Sequence, residues 1–406
     1  MEGKNKISAY PGYFLHKYLI PEIKQIGTGI KTGFQNIIPL YAGTVDFPYF
    51  ISVMVLTVAG LAVHYSASYE TAQQLIFALM GLALMLLASQ VSTFVIKNLA
   101  SAAMVVAGLL MLAALFKEDY NGTHRWILNM QPSELAKVTF IMFFAYLMEK
   151  YQKQLPKRST FYVFGAMTAI MCIILIAQSH LSGCILFMLI GVSMMWMSGE
   201  MSRKRFSGWS LVGVFAVLMV IWKPVILKDY QAKRIEIWKK ILFNGTLTDK
   251  EKINDARQVL QSLYGIGSGG LFGKGFGDSA QKVANLQEKA NDFIYAVIGE
   301  ELGFIGGLLL LFIFGFLVYR GIKIGLEAKS KFSQLLCFGI SVQIALQVLI
   351  NIAVATSLLP NTGISLPFFS EGGSSMLITM VSMGLVLSVS RENNFLKQKN
   401  KNEGNN

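Results

Sequence analysis

The feature that most constrains this chain is a series of long apolar runs set between short polar loops. They include "FPYFISVMVLTVAGLAV", "LASAAMVVAGLLMLAALF", "LAKVTFIMFFAYLM", "WSLVGVFAVLMVIW", "FIYAVIGEELGFIGGLLLLFIFGFLVY" and "LLCFGISVQIALQVLINIAVA". Crossing a bilayer takes roughly 20 apolar residues. About ten such runs are present, with boundaries readable to a few residues. Of the 406 residues 53% are hydrophobic and 15% charged; soluble domains carry about a quarter charged residues. A span in lipid must satisfy its own backbone hydrogen bonds, and these runs do not alternate in polarity as barrel strands would. The expectation is an all-α polytopic membrane protein of about ten transmembrane helices.

The loops fix an orientation. "EKYQKQLPKRS", "GEMSRKRFSG", "YRGIKIGLEAKSKFSQ" and the tail after Arg391 are rich in Lys and Arg, whereas "SASYET", "QSHLS" and "LPNTGISLPFFSEGG" have none. Positive loops stay inside, so both termini are expected in the cytoplasm. The expected layout is a cytoplasmic N-terminal tail over 1–45, a membrane domain over 46–391 and a cytoplasmic tail over 392–406. One long extracytoplasmic loop, 228–290, separates the seventh and eighth spans; long loops escape the charge rule.

The net charge of +13 is explained by these inner loops, and no nucleic acid is expected. Cys172, Cys184 and Cys337 lie in apolar stretches without metal-site or redox spacing and read as packing residues. The first residues are polar and Lys-bearing, so no cleavable signal is expected. No internal repeat marks an inverted transporter fold.

The long loop contains "QSLYGIGSGGLFGKGFGDSAQK". Gly265, Gly267 and Gly270 match a dinucleotide fingerprint only in spacing, because no βαβ context surrounds them. Two readings stand level. The glycines let the backbone turn back tightly, or their N–H groups, with Lys274 and Lys282, hold a phosphate or sugar.

Charged residues at membrane depth are expensive, on the order of 3 kcal/mol each, and call for a partner or a wet cavity. Glu134 and Lys137 stand three apart on one helical face, where an internal ion pair is one reading. Glu300 and Glu301 lie deeper than Asp292, and one of them is a candidate partner for Lys137. Asp292 reads equally as a helix cap and as a general base. Arg125 suits a phosphate, and Trp126 suits the membrane interface. "LLPNTGISLPFFSEGGSS" reads as a rigid loop that roofs a cavity.

Together, "NGTHRWILNMQPSELAK", "QSLYGIGSGGLFGKGFGDSAQK", "NDFIYAVIGEELGFIG" and "LLPNTGISLPFFSEGGSS", in this order, resemble the SEDS family, the FtsW/RodA/SpoVE proteins, on its FtsW/SpoVE side. The resemblance spans about Asp46 to Arg391. It implies a peptidoglycan glycosyltransferase that polymerises lipid II at the outer membrane face and releases undecaprenyl diphosphate. The family's catalytic aspartate falls on Asp292. Substrate-binding positions implied in the matched stretches are Arg125, Trp126, Lys274, Gln281, Lys282, Ser370, Gly372, Gly373, Ser374 and Ser375, with Glu134, Lys137, Glu300 and Glu301 as structural or cavity ion pairs; Arg234, in "YQAKRIEIW", matches a family arginine at the start of the loop. An α-linked donor and a β-linked product require one inverting displacement: one base, and cations at the departing diphosphate. No cofactor is required, and no metal ligands are assigned, although a divalent cation on the diphosphate is compatible. Implied partners are a class B penicillin-binding protein and other divisome or elongasome proteins.

Two departures stand out. Where the family often has Pro-Asp-x-Gly-Thr, this chain reads "QSHLSGC", with His180 near the usual acid. Glu371 replaces a frequent tyrosine and adds a negative charge by the outer cavity. Lipid II translocation and non-catalytic activation of the partner stand as alternative functions.

Overall fold

The computed structural model describes residues 43–68, 72–117, 124–127, 130–155, 158–199, 229–243, 247, 256–280 and 291–403. Among them the helices, in chain order, are α1 (Phe47–Ser68), α2 (Ala72–Gln90), α3 (Thr93–Ala114), α4 (Pro132–Lys150), α5 (Arg158–Ala177), α6 (Leu181–Met197), α7 (Asp229–Leu242), α8 (Arg257–Gly269), α9 (Ile294–Leu326), α10 (Lys331–Ala355) and α11 (Gly373–Glu403). Nine of the ten expected spans coincide with helices; the seventh, 209–222, and the N-terminal tail lie outside the described residues. Six helices, α1, α2, α3, α9, α10 and α11, are long and apolar enough to cross a membrane, and two shorter apolar helices, 162–177 and 181–197, join them. α11 continues unbroken through Arg391 to Glu403. The helices α7 and α8 lie within the long loop.

The bundle is layered as a membrane protein must be. Helix α4 is buried around most of its circumference, including Phe140, Phe144 and Met148. α2 and α3 instead leave Leu79, Leu87, Val106 and Leu109 exposed, a face suited to lipid. Without a hydrophobic drive between spans, close packing at small residues holds them together. A Cβ on Gly384 of α11 would stand 2.5 Å from the Met85 carbonyl oxygen of α2, and these two helices pack along each other. A Cβ on Gly339 of α10 would stand 2.5 Å from Ile141 of α4. That contact sets the antiparallel register of α10 against α4.

Ion pairs mark one end of the bundle. Arg320 grips Asp46 with two guanidinium nitrogens, Lys97 pairs with Glu149 and Lys397 with Glu327 at 2.6 Å. This is the end where the sequence places the positive loops. At the opposite end the expected single span of "FIYAVIGEELGFIGG" departs from a straight helix. α9 breaks at Gly303, whose φ is 68° and ψ −169°. The span proper therefore begins at Phe304, and residues 294–302 form a separate outer helix.

The glycine loop fills that break. The amides of Lys274 and Gly275 donate to the carbonyls of Glu300 and Glu301 at 3.0 and 3.1 Å. The amides of Phe304 and Ile305 donate to the carbonyls of Gly270 and Leu271 at 2.9 and 3.1 Å. A broken helix at the membrane edge would otherwise leave these groups unpaired. The approach is too close for side chains. A Cβ would stand 2.0 Å from the Gly299 oxygen at Gly269, 2.1 Å from the Glu301 oxygen at Gly273, and 2.2 Å from the Gly273 nitrogen at Gly303. The loop also turns tightly, with positive φ at Gly270, Gly273, Gly275 and Gly277.

Gly303→Ala adds a left-handed strain of about 1–2 kcal/mol and a clash with Gly273. It is expected to destabilise the protein by at least about 2 kcal/mol. Gly315→Ala, in the same helix with open space around it, is expected to be neutral or to stabilise by up to about 1 kcal/mol. Thermal melting of the two purified variants in one detergent checks the contrast.

Candidate functional site

The site is assembled around the start of α9. Asn291 and Asp292 form a turn, and Phe293 takes the N-cap position without a side-chain cap. Asp292 thus sits one residue outside the cap, at the positive end of the helix dipole, where an anion is stabilised. It is half-buried. Its backbone is held from two sides. Asn351 of α10 donates through Nδ2 to the Asp292 carbonyl at 3.1 Å and to the Ile364 carbonyl at 2.8 Å. Ser370 donates to the Asn291 carbonyl at 2.8 Å and accepts from the Leu366 amide at 2.7 Å.

Ser370 belongs to the loop from Pro360 to Gly372, a packed element that Asn351 also holds through the Ile364 carbonyl. Phe368 and Phe369 are buried with ring centroids 6.3 and 6.1 Å from that of Phe314. The backbone of this loop bears on α1 so closely that a Cβ on Gly60 would stand 2.1 Å from the Phe368 oxygen. The loop also carries the connection across the site. Asp292 Oδ2 lies 3.5 Å from where a Cβ of Gly363 would be, and the neighbouring Thr362 carbonyl accepts a hydrogen bond from Ser182 at the start of α6. Two residues before Ser182 is His180, and Arg125 donates to the carbonyl of Ser179. Arg125 is thus linked to this loop indirectly, through the 179–182 turn.

The turn around His180 is electropositive. Burial first, then Arg125 and Lys137, push the His180 imidazole down to about 3, so it is neutral at physiological pH. Its Nδ1 is buried with no hydrogen-bond partner among the described residues. An acid, frequent at this place in the family, would suit the two cations better than this histidine does.

Lys137 pairs with Glu134, Nζ lying 2.7 and 2.8 Å from the two carboxylate oxygens, both side chains buried in α4. The expected link from Lys137 to Glu300 or Glu301 is not formed, because the helix break turns those carboxylates elsewhere. Glu300, fully buried, accepts from Lys274 Nζ at 2.7 Å, Ser279 at 2.6 Å, Ser268 at 3.2 Å and the Ala280 amide at 3.2 Å. Glu301 accepts from Ser66 of α1. Lys274 is therefore engaged with a buried carboxylate and remains about one third exposed.

The other expected positions divide. Trp126 is 40% exposed and Arg234 is exposed on α7, a helix docked by Trp238 Nε1 on the Ser357 carbonyl at 3.0 Å. Ser374 is buried beside the Gln131 amide, and a Cβ on Gly373 would meet the Phe77 ring at 2.4 Å. Gly372 and Ser375 are half-buried beside them. Gln281 and Lys282 lie outside the described residues.

The sequence reading passed over Gln343, Gln347 and Asn351. All three are buried, and their side-chain oxygens have no partner among the described residues. The α10–α4 register set by Gly339 places Gln343 level with Lys137 and Gln347 level with Ser133 and Glu134. Asn351, one turn further, holds Asp292. The signal was legible: three amides at intervals of four inside an apolar span share one face.

Removing one member of a buried ion pair strands the other, at about 3–5 kcal/mol. Glu134→Gln is expected to show a loss of that size in thermal melting, and Glu134→Gln with Lys137→Met to recover most of it. His180 sets a pH dependence. Below about pH 6.5 the unfolded chain binds a proton at this residue that the folded chain refuses down to about 3. Its contribution to stability is complete above about 6.5 and is lost as the pH falls, at up to about 1.4 kcal/mol per unit. Melting across that range checks this, with a shallower slope expected for His180→Asn.

Comparison with known proteins agrees on the family. The model described as "Cell cycle protein", for FtsW, RodA and SpoVE, matches residues 36–395. The chain is 33% identical over 367 residues to a probable peptidoglycan glycosyltransferase FtsW from Geobacter sp. (strain M18), covering 85% of this chain and 96% of the relative. It is 34% identical over 371 residues to stage V sporulation protein E of Bacillus subtilis (strain 168), covering 84% and 95%. Among solved structures it superposes on a chain from a peptidoglycan synthase complex with a TM-score of 0.72 at 24% identity, covering 86% of this chain and 98% of that one. The rod shape determining protein RodA of Thermus thermophilus gives a TM-score of 0.64 at 24% identity, covering 86% and 97%. At these identities the structural likeness speaks for the fold. By the family match over most of its length and by its relatives, this chain belongs to the FtsW/RodA/SpoVE family, the SEDS proteins, on the FtsW/SpoVE side.

Proposed function

We propose that this protein is a peptidoglycan glycosyltransferase that polymerises lipid II at the outer face of the cytoplasmic membrane, with Asp292 as general base. The observation that carries the reading is the setting of Asp292: half-exposed at a helix N-terminus, with its backbone clamped by Asn351 and, through Asn291, by Ser370. A base held by backbone restraints presents its carboxylate in one place. In the proposed step, Asp292 takes the proton of the acceptor hydroxyl. The hydroxyl oxygen attacks the anomeric carbon from the face opposite the leaving group, and the diphosphate departs with the bonding electron pair. The configuration inverts once, without a covalent intermediate.

The diphosphate needs cations. Lys274 is engaged by Glu300, so its contribution is to build the loop. Arg125, tied to the 179–182 turn whose Ser182 bonds the Thr362 carbonyl, is one candidate cation. Arg234 and Lys282 complete the candidates. The family relation and the likeness to a chain of a peptidoglycan synthase complex support a class B penicillin-binding protein as partner, with both termini in the cytoplasm.

The test uses purified protein with a partner lacking its own glycosyltransferase domain, given lipid II in bilayers. Polymer is expected from the wild type. Asp292→Asn is expected to lose about 10²–10⁴-fold of the rate, the usual contribution of a general base, with its melting temperature retained. Polymer at the wild-type rate from Asp292→Asn removes the assigned base. No polymer from the wild type, with lipid translocation present, supports transport; with neither activity, it supports a scaffold.

A further inference from the structure

The tip of the glycine loop carries large apolar side chains that the protein leaves uncovered. Leu271 is 62% exposed, Phe272 79% and Phe276 53%. The break in α9 decides where they stand. The Ile305 amide donates to the Leu271 carbonyl and the Phe304 amide to the Gly270 carbonyl, so the tip lies against the first turn of the membrane span. That turn is itself exposed, at Phe304 and Ile305, and the same helix leaves Leu308 and Phe312 exposed further along. The outward face of a membrane span meets hydrocarbon, and Leu271 and Phe272 extend that face beyond the helix.

Charge agrees with this placement. The single charged side chain between Ser268 and Gly277 is Lys274, and Glu300 draws it inward. The tip thus presents Leu and Phe, with the exposed Asp278 at its edge two residues beyond Phe276, a mixture of apolar tip and polar rim that suits the headgroup and acyl boundary.

We propose that Leu271, Phe272 and Phe276 are seated in the bilayer leaflet on the Asp292 side, anchoring the glycine loop to lipid next to the α9 span. The anchor and the backbone ladder act together: the ladder fixes the loop to the helix break, and the lipid holds its tip at the membrane surface.

The experiment places a nitroxide on Phe272→Cys, and separately on Phe276→Cys, in the full chain reconstituted in phosphatidylcholine–phosphatidylglycerol bilayers. The native cysteines among the described residues are buried, and the labelled parent supplies the background. Power-saturation spectra compare collisions with oxygen, which partitions into lipid, and with a water-soluble nickel chelate. Phe312→Cys is the lipid reference and Lys397→Cys the aqueous one. The expected result is an oxygen-over-nickel preference at Phe272 and Phe276 of the same sign as Phe312 and opposite to Lys397. A nickel preference overturns the proposal by placing the tip in water. Protection from both reagents overturns it in favour of protein covering the tip. Glycosyl transfer is not read in this measurement, so its failure leaves the catalytic assignment standing.

Discussion

A membrane-embedded backbone tolerates no unpaired amide or carbonyl, and the outer half of this protein is organised by how it meets that demand at Gly303. The helix stops, and a second segment of the same chain supplies the missing partners through Gly270, Leu271, Lys274 and Gly275. Each such bond contributes only about 1 kcal/mol net, but an unmade one costs more. The two segments are therefore obligatory partners. The break shortens the span to 304–326 and leaves 294–302 as a separate piece, and that piece begins next to Asp292.

The ionisable groups follow from the same arrangement. Glu300 and Glu301, next to each other in the chain, serve different neighbours: one closes the glycine loop through Lys274 and Ser279, the other ties to Ser66 of α1. Glu134 and Lys137 neutralise each other within α4. At the other end Asp46 and Arg320 join α1 to α9. Buried charges of this kind are weak sources of net stability and strong sources of specificity, because each has few acceptable partners. The half-exposed carboxylate of Asp292 borders a loop that is itself packed on phenylalanines, which is the combination expected of a group held for chemistry.

The amide stripe of Gln343, Gln347 and Asn351 gives the bundle a polar seam from the level of Lys137 up to Asp292. Buried amide oxygens are costly unless hydrogen-bonded, so a seam of three marks this face of α10 as something other than packing. His180 adds a local peculiarity. It is a neutral imidazole beside two cations, which leaves the turn electropositive.

The run lengths, the loop charges and four ordered motifs determined by themselves that this is a helical SEDS membrane protein, and they singled out Asp292 and Arg125. Those features are local: a stretch of twenty apolar residues or a Lys-rich loop has the same meaning wherever the chain goes. Only the tertiary structure decided which carboxylate answers which cation. Spacing put Lys137 within notional reach of Glu300, but the kink at Gly303 rotates the residues before it, and a break produced by a distant loop leaves no mark in the helix's own hydropathy. The glycines of the loop were ambiguous in sequence, since a tight backbone turn and a nest of N–H groups for an anion call for the same residue. The structure adds positive φ at Gly270, Gly273, Gly275 and Gly277 and, at Gly273, a close approach to the Glu301 carbonyl that no local pattern announces.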